Sequence, residues 1–495
     1  MPREIDADYS QQFLLPPNLE DWIPSDHPAR FIRLFVDSLK LRDLGFKVRE
    51  SEEGRPNYSN ELLLKIWLYG YFHKIKSSRE LERACKNEMP LIWLSGINYP
   101  DHNTLWRFFR NNRSCLKGVF KQTVQFAVKS KMVGFALQAV DGTKVEADAS
   151  KDRSLHKKSL EKLLSSLDKL LEERLLEIEK RDDMESSLPS YSLPKELQDP
   201  KKLKDFIEKG LDSYSTKDKI KLRSTVYSSL EALESAGTSH LNLTDEESRM
   251  MKNASHIKFS YNAQGIVDEK EQIIVGSKVS HEENDSHHLT EMLDEAKENT
   301  GEVSQETVAD GGYFSGEELQ KSNEKDYSVL VNMLPSVGTY PSDRSSDFGK
   351  DNFKYDRTKD QYICPLGNPL LYERTIRRKK RRYKVRVYRC KSFRECPHRE
   401  QCSKDPRGRS VERSPYEDVI KKQTLKQKEP ENKKLLLKRK KIVEPVFGWI
   451  KHNHGFKRWS YRGLKSVNAQ WNLVCATINL KKLYKKWLNG DLNFS

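Results

Sequence analysis

The spacing of apolar positions changes character along the chain, and each change predicts a different kind of element. From residue 27 to about 130 the apolar residues recur at helical intervals. The run Glu61–Phe72 is apolar and aromatic, and Ser77 with Glu80 makes a capping-box pattern ahead of another helix. Asn103 and Thr104 stand where they would cap a helix that turns Arg107, Arg110 and Arg113 outward, either against phosphates or as an ordinary solvated face. An apolar run, Phe135–Val140, then ends in Asp141-Gly142-Thr143, which predicts a buried strand delivering an acid into a turn. The charged stretch Lys151–Arg249 carries an apolar seam at Leu160, Leu164, Leu167, Leu171 and Ile178, broken by Arg174. It reads as an antiparallel helical insertion turning at Ser186–Pro200, packed on itself or pairing in a dimer, with self-packing the simpler alternative.

Alternation with period two follows at Ile257, Phe259 and Tyr261 and again over Ile273–Val279, with a turn near Asp268, so a hairpin is expected. A helix opens at Asp285, runs to about Asn299 and stops at Gly301. A short strand, Glu306–Ala309, ends in Asp310-Gly311-Gly312, and another spans Tyr327–Met333. After a polar, basic stretch the tail is strongly helical, with one helix over Leu435–His452. The fold class is therefore α/β.

Composition narrows the function. The 495 residues carry 89 Lys and Arg against 73 Asp and Glu, a formal charge of +16, which suits a polyanionic partner. Nucleic acid leads, with an anionic membrane surface as the alternative. Met1–Leu15 lacks the apolar core of a signal peptide and no run of eighteen apolar residues occurs, so a cytoplasmic protein without a membrane partner is expected. Seven cysteines in such a chain point to reduced thiols or a metal site rather than a disulfide framework.

Asp141 and Asp310, each at a strand end and followed by glycine, are placed to converge at one sheet edge. Glu444 is the candidate third acid, in a helix with Lys451 two turns later on the same face. Three carboxylates suit two Mg²⁺ or Mn²⁺ ions about 3.5–4 Å apart, which activate the attacking oxygen and stabilise the leaving one in phosphodiester substitution. Each acid alone reads as readily as a turn residue or a cap. Glu146, Asp148, Asp268 and Asp285 rank lower, Asp285 as a helix cap.

Between Asp310 and Glu444 lie Cys364, Cys390, Cys396 and Cys402, with Cys364-Pro365-Leu366-Gly367 resembling a knuckle turn. Four thiolates offer a tetrahedral structural Zn²⁺ site, with His398 as a substitute ligand, but close CxxC pairs are missing and plain reduced thiols are the alternative. Arg374–Arg389 holds ten Lys or Arg and no acid, and Tyr383, Val385 and Val387 alternate with Lys384 and Arg386 as in a strand. This basic ribbon, with Arg377, Arg378, Arg381 and Arg382, is a candidate surface for the DNA backbone. Phe456, Lys457, Arg458, Trp459 and Arg462 mix ring and charge, either to stack on an exposed base or to pack in the core.

The strand-Asp141-Gly142-Thr143-Lys144 segment, Asp310-Gly311-Gly312-Tyr313 and the Glu444-x6-Lys451 helix together resemble bacterial insertion-sequence transposases of the Asp-Asp-Glu class, specifically insertion-sequence family eleven-eighty-two. Asp26-His27-Pro28, Gly54-Arg55-Pro56, Ser77-Ser78-Arg79, Asp101-His102-Asn103-Thr104, Tyr261-Asn262-Ala263-Gln264 and the cysteine segment share that likeness. The resemblance implies a helical DNA-binding domain over 1–130. It also implies a ribonuclease-H-like catalytic domain over 131–495, interrupted by a helical insertion at 151–250 and a basic four-Cys insertion at 335–430. It implies metal ligation by Asp141, Asp310 and Glu444, DNA contact by Lys451, Lys440 and Arg439, and a synaptic homo-oligomer holding terminal inverted repeats and target DNA near the bacterial nucleoid. By the family's spacing a Tyr and an Arg of the third-acid helix are replaced by Leu437 and Lys440, with Arg439 adjacent; Lys keeps the charge but not the bidentate grip. A nuclease of the same fold and a non-catalytic DNA-binding derivative are the other functions considered.

Overall fold

The computed structural model describes residues 18–47, 57–171, 193–253, 256–332, 347–378 and 383–492. Six helices form where the apolar period puts them: α1 (Pro28–Asp37), α2 (Asn60–Phe72), α3 (Ser78–Asn87), α4 (Met89–Leu94), α5 (His102–Asn111) and α6 (Cys115–Lys129). Helix α2 is buried on nearly every side, and its Trp67 Nε1 donates to Leu105 O of α5 at 3.2 Å. Ser77 stands at the N-cap of α3 without a side-chain bond there. Helix α5 is capped by Asp101, whose carboxylate accepts from the Thr104 amide at 2.6 Å, so Asn103 and Thr104 lie inside the helix. Arg107 and Arg110 are exposed, while Arg113 donates to Ser466 Oγ at 2.7 Å.

The strands that follow are β1 (Leu137–Glu146), the short pair β2 (Ser154–His156) and β3 (His240–Asn242), β4 (Arg249–Asn253), β5 (His256–Asp268), β6 (Ile274–Ser280), β7 (Glu306–Ala309) and β8 (Val329–Val331). One mixed sheet runs β5-β1-β7-β8, with β4 and β6 both on the outer edge of β5. The β5 pairings are antiparallel, and those of β7 with β1 and β8 are parallel. The expected hairpin is β5–β6. Strand β1 does not end at Asp141: its pairing with β5 continues from Gln138 to Glu146, whereas its pairing with β7 stops at Val140–Ala309. Asp141 is thus the first residue past the parallel pairing, not a turn residue. Asp285 does not open a helix either. The helix that follows begins at Leu289 with His288 as its N-cap, and it ends on left-handed Gly301 as expected.

Between β1 and β4 stand α7 (Lys157–Leu171) and α8 (Thr216–Ser235), which pack on each other around a core of their own. Leu160 and Leu167 of the predicted seam are buried in that core, Leu164 is only partly buried against it while its neighbour Leu163 takes the buried position, and Leu171 is buried at the end of α7. Ile178, Arg174 and the turn up to residue 192 lie outside the described residues. Next come α9 (Leu289–Thr300) and α10 (Gly316–Glu324), which flank β7 in sequence. A separate five-stranded antiparallel sheet follows, ordered β13-β12-β11-β10-β9, from β9 (Lys354–Asp356), β10 (Gln361–Ile363), β11 (Pro369–Arg377), β12 (Lys384–Cys390) and β13 (Ser410–Arg413). Its small core centres on Phe353, Tyr362, Leu370 and Tyr388.

The tail is α11 (Glu417–Lys428), α12 (Pro430–Gly448), a π-helical turn over Trp449–Asn453 and α13 (Leu464–Leu488). Helix α12 crosses β1, β5 and β7, burying Ile442, Val443, Val446 and Phe447. Helix α13 lies against β6 and α6, and its Trp471 Nε1 donates to Gln264 O at 2.9 Å. The first helices, the mixed sheet and the tail share one continuous apolar core. His454 Nε2 meets Tyr71 O at 2.7 Å, and Gln470 donates to the Tyr71 hydroxyl at 2.9 Å, which ties tail to α2. Because α7 and α8 close a core separate from this one, Leu167→Ala is expected to cost that unit about 2–5 kcal/mol. Limited proteolysis should then open residues 157–235 first, while the melting transition of the remainder stays within a few degrees; a single coincident transition would contradict separate cores.

Candidate acidic site

The register of the sheet brings two acids together. Val140 pairs with Ala309, so Asp141 and Asp310 are the next residues on neighbouring parallel strands. Asp310 Oδ1 accepts from the Gly312 amide at 2.8 Å, and Asp141 Oδ1 from the Gly142 amide at 2.9 Å. Glycine is needed beside both. A Cβ at Gly142 would stand 3.1 Å from Asp285 Oδ1, 3.2 Å from Asn262 Oδ1 and 3.3 Å from the Tyr313 hydroxyl, and one at Gly312 would stand 3.0 Å from Asp310 Oδ1 and 3.3 Å from Asp285 Oδ2. A side chain at either position would push into the acids.

Helix α12 supplies the positive charge. Arg439 Nη1 lies 3.2 Å from Asp141 Oδ2, with only 14% of the arginine side chain exposed. Burial nonetheless pushes Asp141 up to about 6; Arg439 and the Gly142 amide pull it back, and the Asp310 carboxylate adds to the rise. Lys451, from the π-helical turn, is lowered by burial while Asp141 attracts its charged form. Lys440 is exposed, so the arginine adjacent to the family position, not Lys440, reaches the acid. Glu444 is exposed on α12 between Arg439 and Lys451, and it makes no hydrogen bond or ion pair among the described residues.

A further acid enters that the sequence reading had set aside as a cap. Asp285 accepts through Oδ1 from Asn262 Nδ2 at 2.6 Å and Gln264 Nε2 at 2.9 Å. Burial raises its pKa, and Asp310 adds to the rise. Tyr313, wholly buried, has a hydroxyl without a hydrogen-bond partner and feels Asp285, Asp141 and Asp310 together. The signal for Asp285 was present in Tyr261-Asn262-Ala263-Gln264: alternate residues of one strand place two amides on the same face, ready to hold a carboxylate. Of the other acids set aside, Asp148 pairs with Arg458 and Arg462, Glu146 with Lys258, and Asp268 accepts from the Gly134, Phe135 and Lys270 amides.

The remaining predicted residues lie elsewhere. Arg377 and Arg378 are exposed on the basic ribbon, and Arg381 and Arg382 fall outside the described residues. Acids from neighbouring segments pair with much of this ribbon: Arg378 with Glu412, Arg386 with Asp360, and Arg389 with Glu373 and Asp405. Val385 and Val387 turn inward as the alternation predicts. Trp459 is core, its Nε1 donating to Val145 O at 3.2 Å, and Phe456 is equally buried. Cys364, Cys390, Cys396 and Cys402 line one small pocket with Phe348, Phe353 and Phe393. Burial raises the Cys390 thiol and pushes that of Cys402 up to about 11. All four are free, and among the described residues no three His, Cys, Asp or Glu side chains are gathered closely enough to hold a metal. His398 is exposed and meets Gln401.

A family model described as a transposase DDE domain matches residues 363–484, and one described as a transposase domain (DUF772) matches residues 17–111. Both matches are to transposase families, and together they support an insertion-sequence DDE transposase. The first matched segment contains Glu444, Arg439 and Lys451, and the second covers most of the N-terminal helices of the transposase. No curated protein matches the chain. No described helix of the transposase is long and apolar enough to cross a membrane.

The transposase should show the electrostatic strain of its acids in its stability. An acid raised on folding favours the folded state at low pH, and that contribution is lost as pH rises from about 4 to about 6. In EDTA, Asp141→Asn is expected to remove this fall and gain on the order of 2–3 kcal/mol at pH 7.5. Urea unfolding across pH 4–8 checks it; a variant curve parallel to wild type would be the contrary result.

Proposed function

We propose that this transposase cleaves the ends of its insertion sequence and joins them to target DNA by metal-dependent phosphoryl transfer, with Asp141, Asp310 and Glu444 as the metal ligands. The observation that carries this reading is the pair Asp141–Asp310 at the point where parallel strands part, beneath a helix that brings Arg439 to Asp141, with Lys451 of the following π-helical turn feeling the same carboxylate. The sheet order β6-β5-β1-β7-β8, antiparallel on one side of β1 and parallel on the other, supports a ribonuclease-H-like core. The helices before residue 130 form the DNA-binding region, and residues 151–250 and 335–430 are insertions into the catalytic domain. The match to transposase families and the Asp-Gly segments together favour family eleven-eighty-two within the wider group.

The donor chemistry fits a hard divalent cation: carboxylate oxygens at the end of a sheet, the unpartnered hydroxyl of Tyr313, and the unpartnered amide oxygen of Asn262. Two Mg²⁺ or Mn²⁺ ions, when bound, supply Lewis-acid activation of the attacking oxygen and stabilisation of the leaving one. The chain's own groups do the rest. Gly142 and Gly312 keep side chains out of the space between the acids, Lys451 would neutralise a phosphate oxygen, and Arg439 holds the Asp141 carboxylate in place. Exposed Lys440, Arg377 and Arg378 meet the DNA backbone, together with Arg381 and Arg382 of the same basic run in sequence. Two element ends must be held together, so the working form is a homo-oligomer on DNA.

Asp141→Ala is expected to lower nicking of DNA carrying the element's ends by at least a thousandfold in Mg²⁺ or Mn²⁺ while leaving DNA binding within about twofold, because one lost ligand disables the metal-dependent step. Gel assays of nicking and of binding measure both. Nicking by the variant at the wild-type rate would remove Asp141 from the mechanism, and wild-type protein that binds these ends without cutting them would favour the non-catalytic alternative. Strand-transfer products separate a transposase from a nuclease of the same fold.

A further inference from the structure

Asp285 spends only one of its two carboxylate oxygens on the protein. Oδ1 takes both amide donors, from Asn262 and Gln264, and Oδ2 accepts no hydrogen bond among the described residues. Oδ2 lies toward Gly312, on the side of Asp310, since a Cβ at Gly312 would stand 3.3 Å from it and 3.0 Å from Asp310 Oδ1.

Further oxygens stand nearby. Asn262 is wholly buried with its Oδ1 unpartnered, and Tyr313 is wholly buried with its hydroxyl unpartnered. Both oxygens stand within 3.3 Å of the point where a Gly142 Cβ would be, as does Asp285 Oδ1. A buried polar atom left without a partner costs roughly 1–3 kcal/mol, and native proteins keep such atoms where a ligand completes them. Unpartnered oxygens around a carboxylate call for a cation, which accepts several oxygens at once. The two amides fix Asp285 from behind, the arrangement by which outer groups orient a ligating carboxylate.

We propose that Asp285 is a further carboxylate ligand of the divalent-cation site of Asp141 and Asp310, oriented by Asn262 and Gln264. The proposal rests on the metal-dependent reading above.

Mn²⁺ binding to the full-length protein without DNA, followed by the loss of the free-ion electron paramagnetic resonance signal, tests this separately from activity. Asp285→Asn keeps an acceptor for the two amides and is expected to weaken Mn²⁺ binding tenfold or more, with an unchanged melting temperature in EDTA. Asp141→Ala is expected to abolish the same binding. Wild-type affinity in Asp285→Asn alongside lost binding in Asp141→Ala overturns the role of Asp285 and leaves the metal site standing. Retained binding in both variants overturns the metal-dependent reading itself. Should Asp285→Asn melt early, Asp285→Glu moves the carboxylate by one methylene and is expected to shift affinity severalfold; an unchanged affinity there counts against the proposal.

Discussion

The site depends on where one strand stops pairing. Strand β1 is bound to β5 along its length, yet it shares a parallel ladder with β7 only as far as Val140 and Ala309. Beyond that register the strands part, and the next residue on each is an aspartate. Hydrogen bonding on one side holds Asp141 rigidly, while the parting on the other opens the space that the acids occupy. The buried apolar faces of β1, β7 and β8 and the crossing helix α12 keep that geometry, since a slip of one residue would send both acids to the wrong face.

Placing carboxylates side by side at a partly buried sheet end is unfavourable, and the chain offsets it in more than one way. Arg439 brings a guanidinium to Asp141, backbone amides of Gly142 and Gly312 bond the two strand-end acids, and Asn262 with Gln264 holds Asp285. Burial still outweighs these contacts at Asp141. The surplus of negative charge and unpartnered oxygen is a feature that stability alone would not retain, which is why it points to a bound cation.

Much of this was legible from sequence because periodicity reports burial. The β5–β6 hairpin, strand β7, helix α2 and the leucine seam of α7 all follow from apolar spacing, and Asp-Gly pairs after apolar runs marked the two strand-end acids. What was hidden is what depends on partners distant in sequence. Asp141 looked like a turn residue because pairing to β5, more than a hundred residues away, is invisible locally. Asp285 looked like a helix cap, since nothing within a few residues of it announces the amides of Asn262 and Gln264. The basic ribbon was read as uncompensated charge because its counterions, Asp360, Asp405 and Glu412, lie outside the run. Asp101 took the cap of α5 from Asn103 and Thr104 by standing two positions before Asn103.

The central claim is that Asp141 and Asp310, the residues just past the β1–β7 pairing, form one cation site. Anomalous diffraction from crystals of the full-length protein soaked in Mn²⁺ measures this directly. A manganese peak between Asp141 and Asp310, with Arg439 displaced from Asp141, is the result this account predicts. Ordered manganese elsewhere, with the Arg439–Asp141 pair intact and no peak at the sheet end, would contradict it.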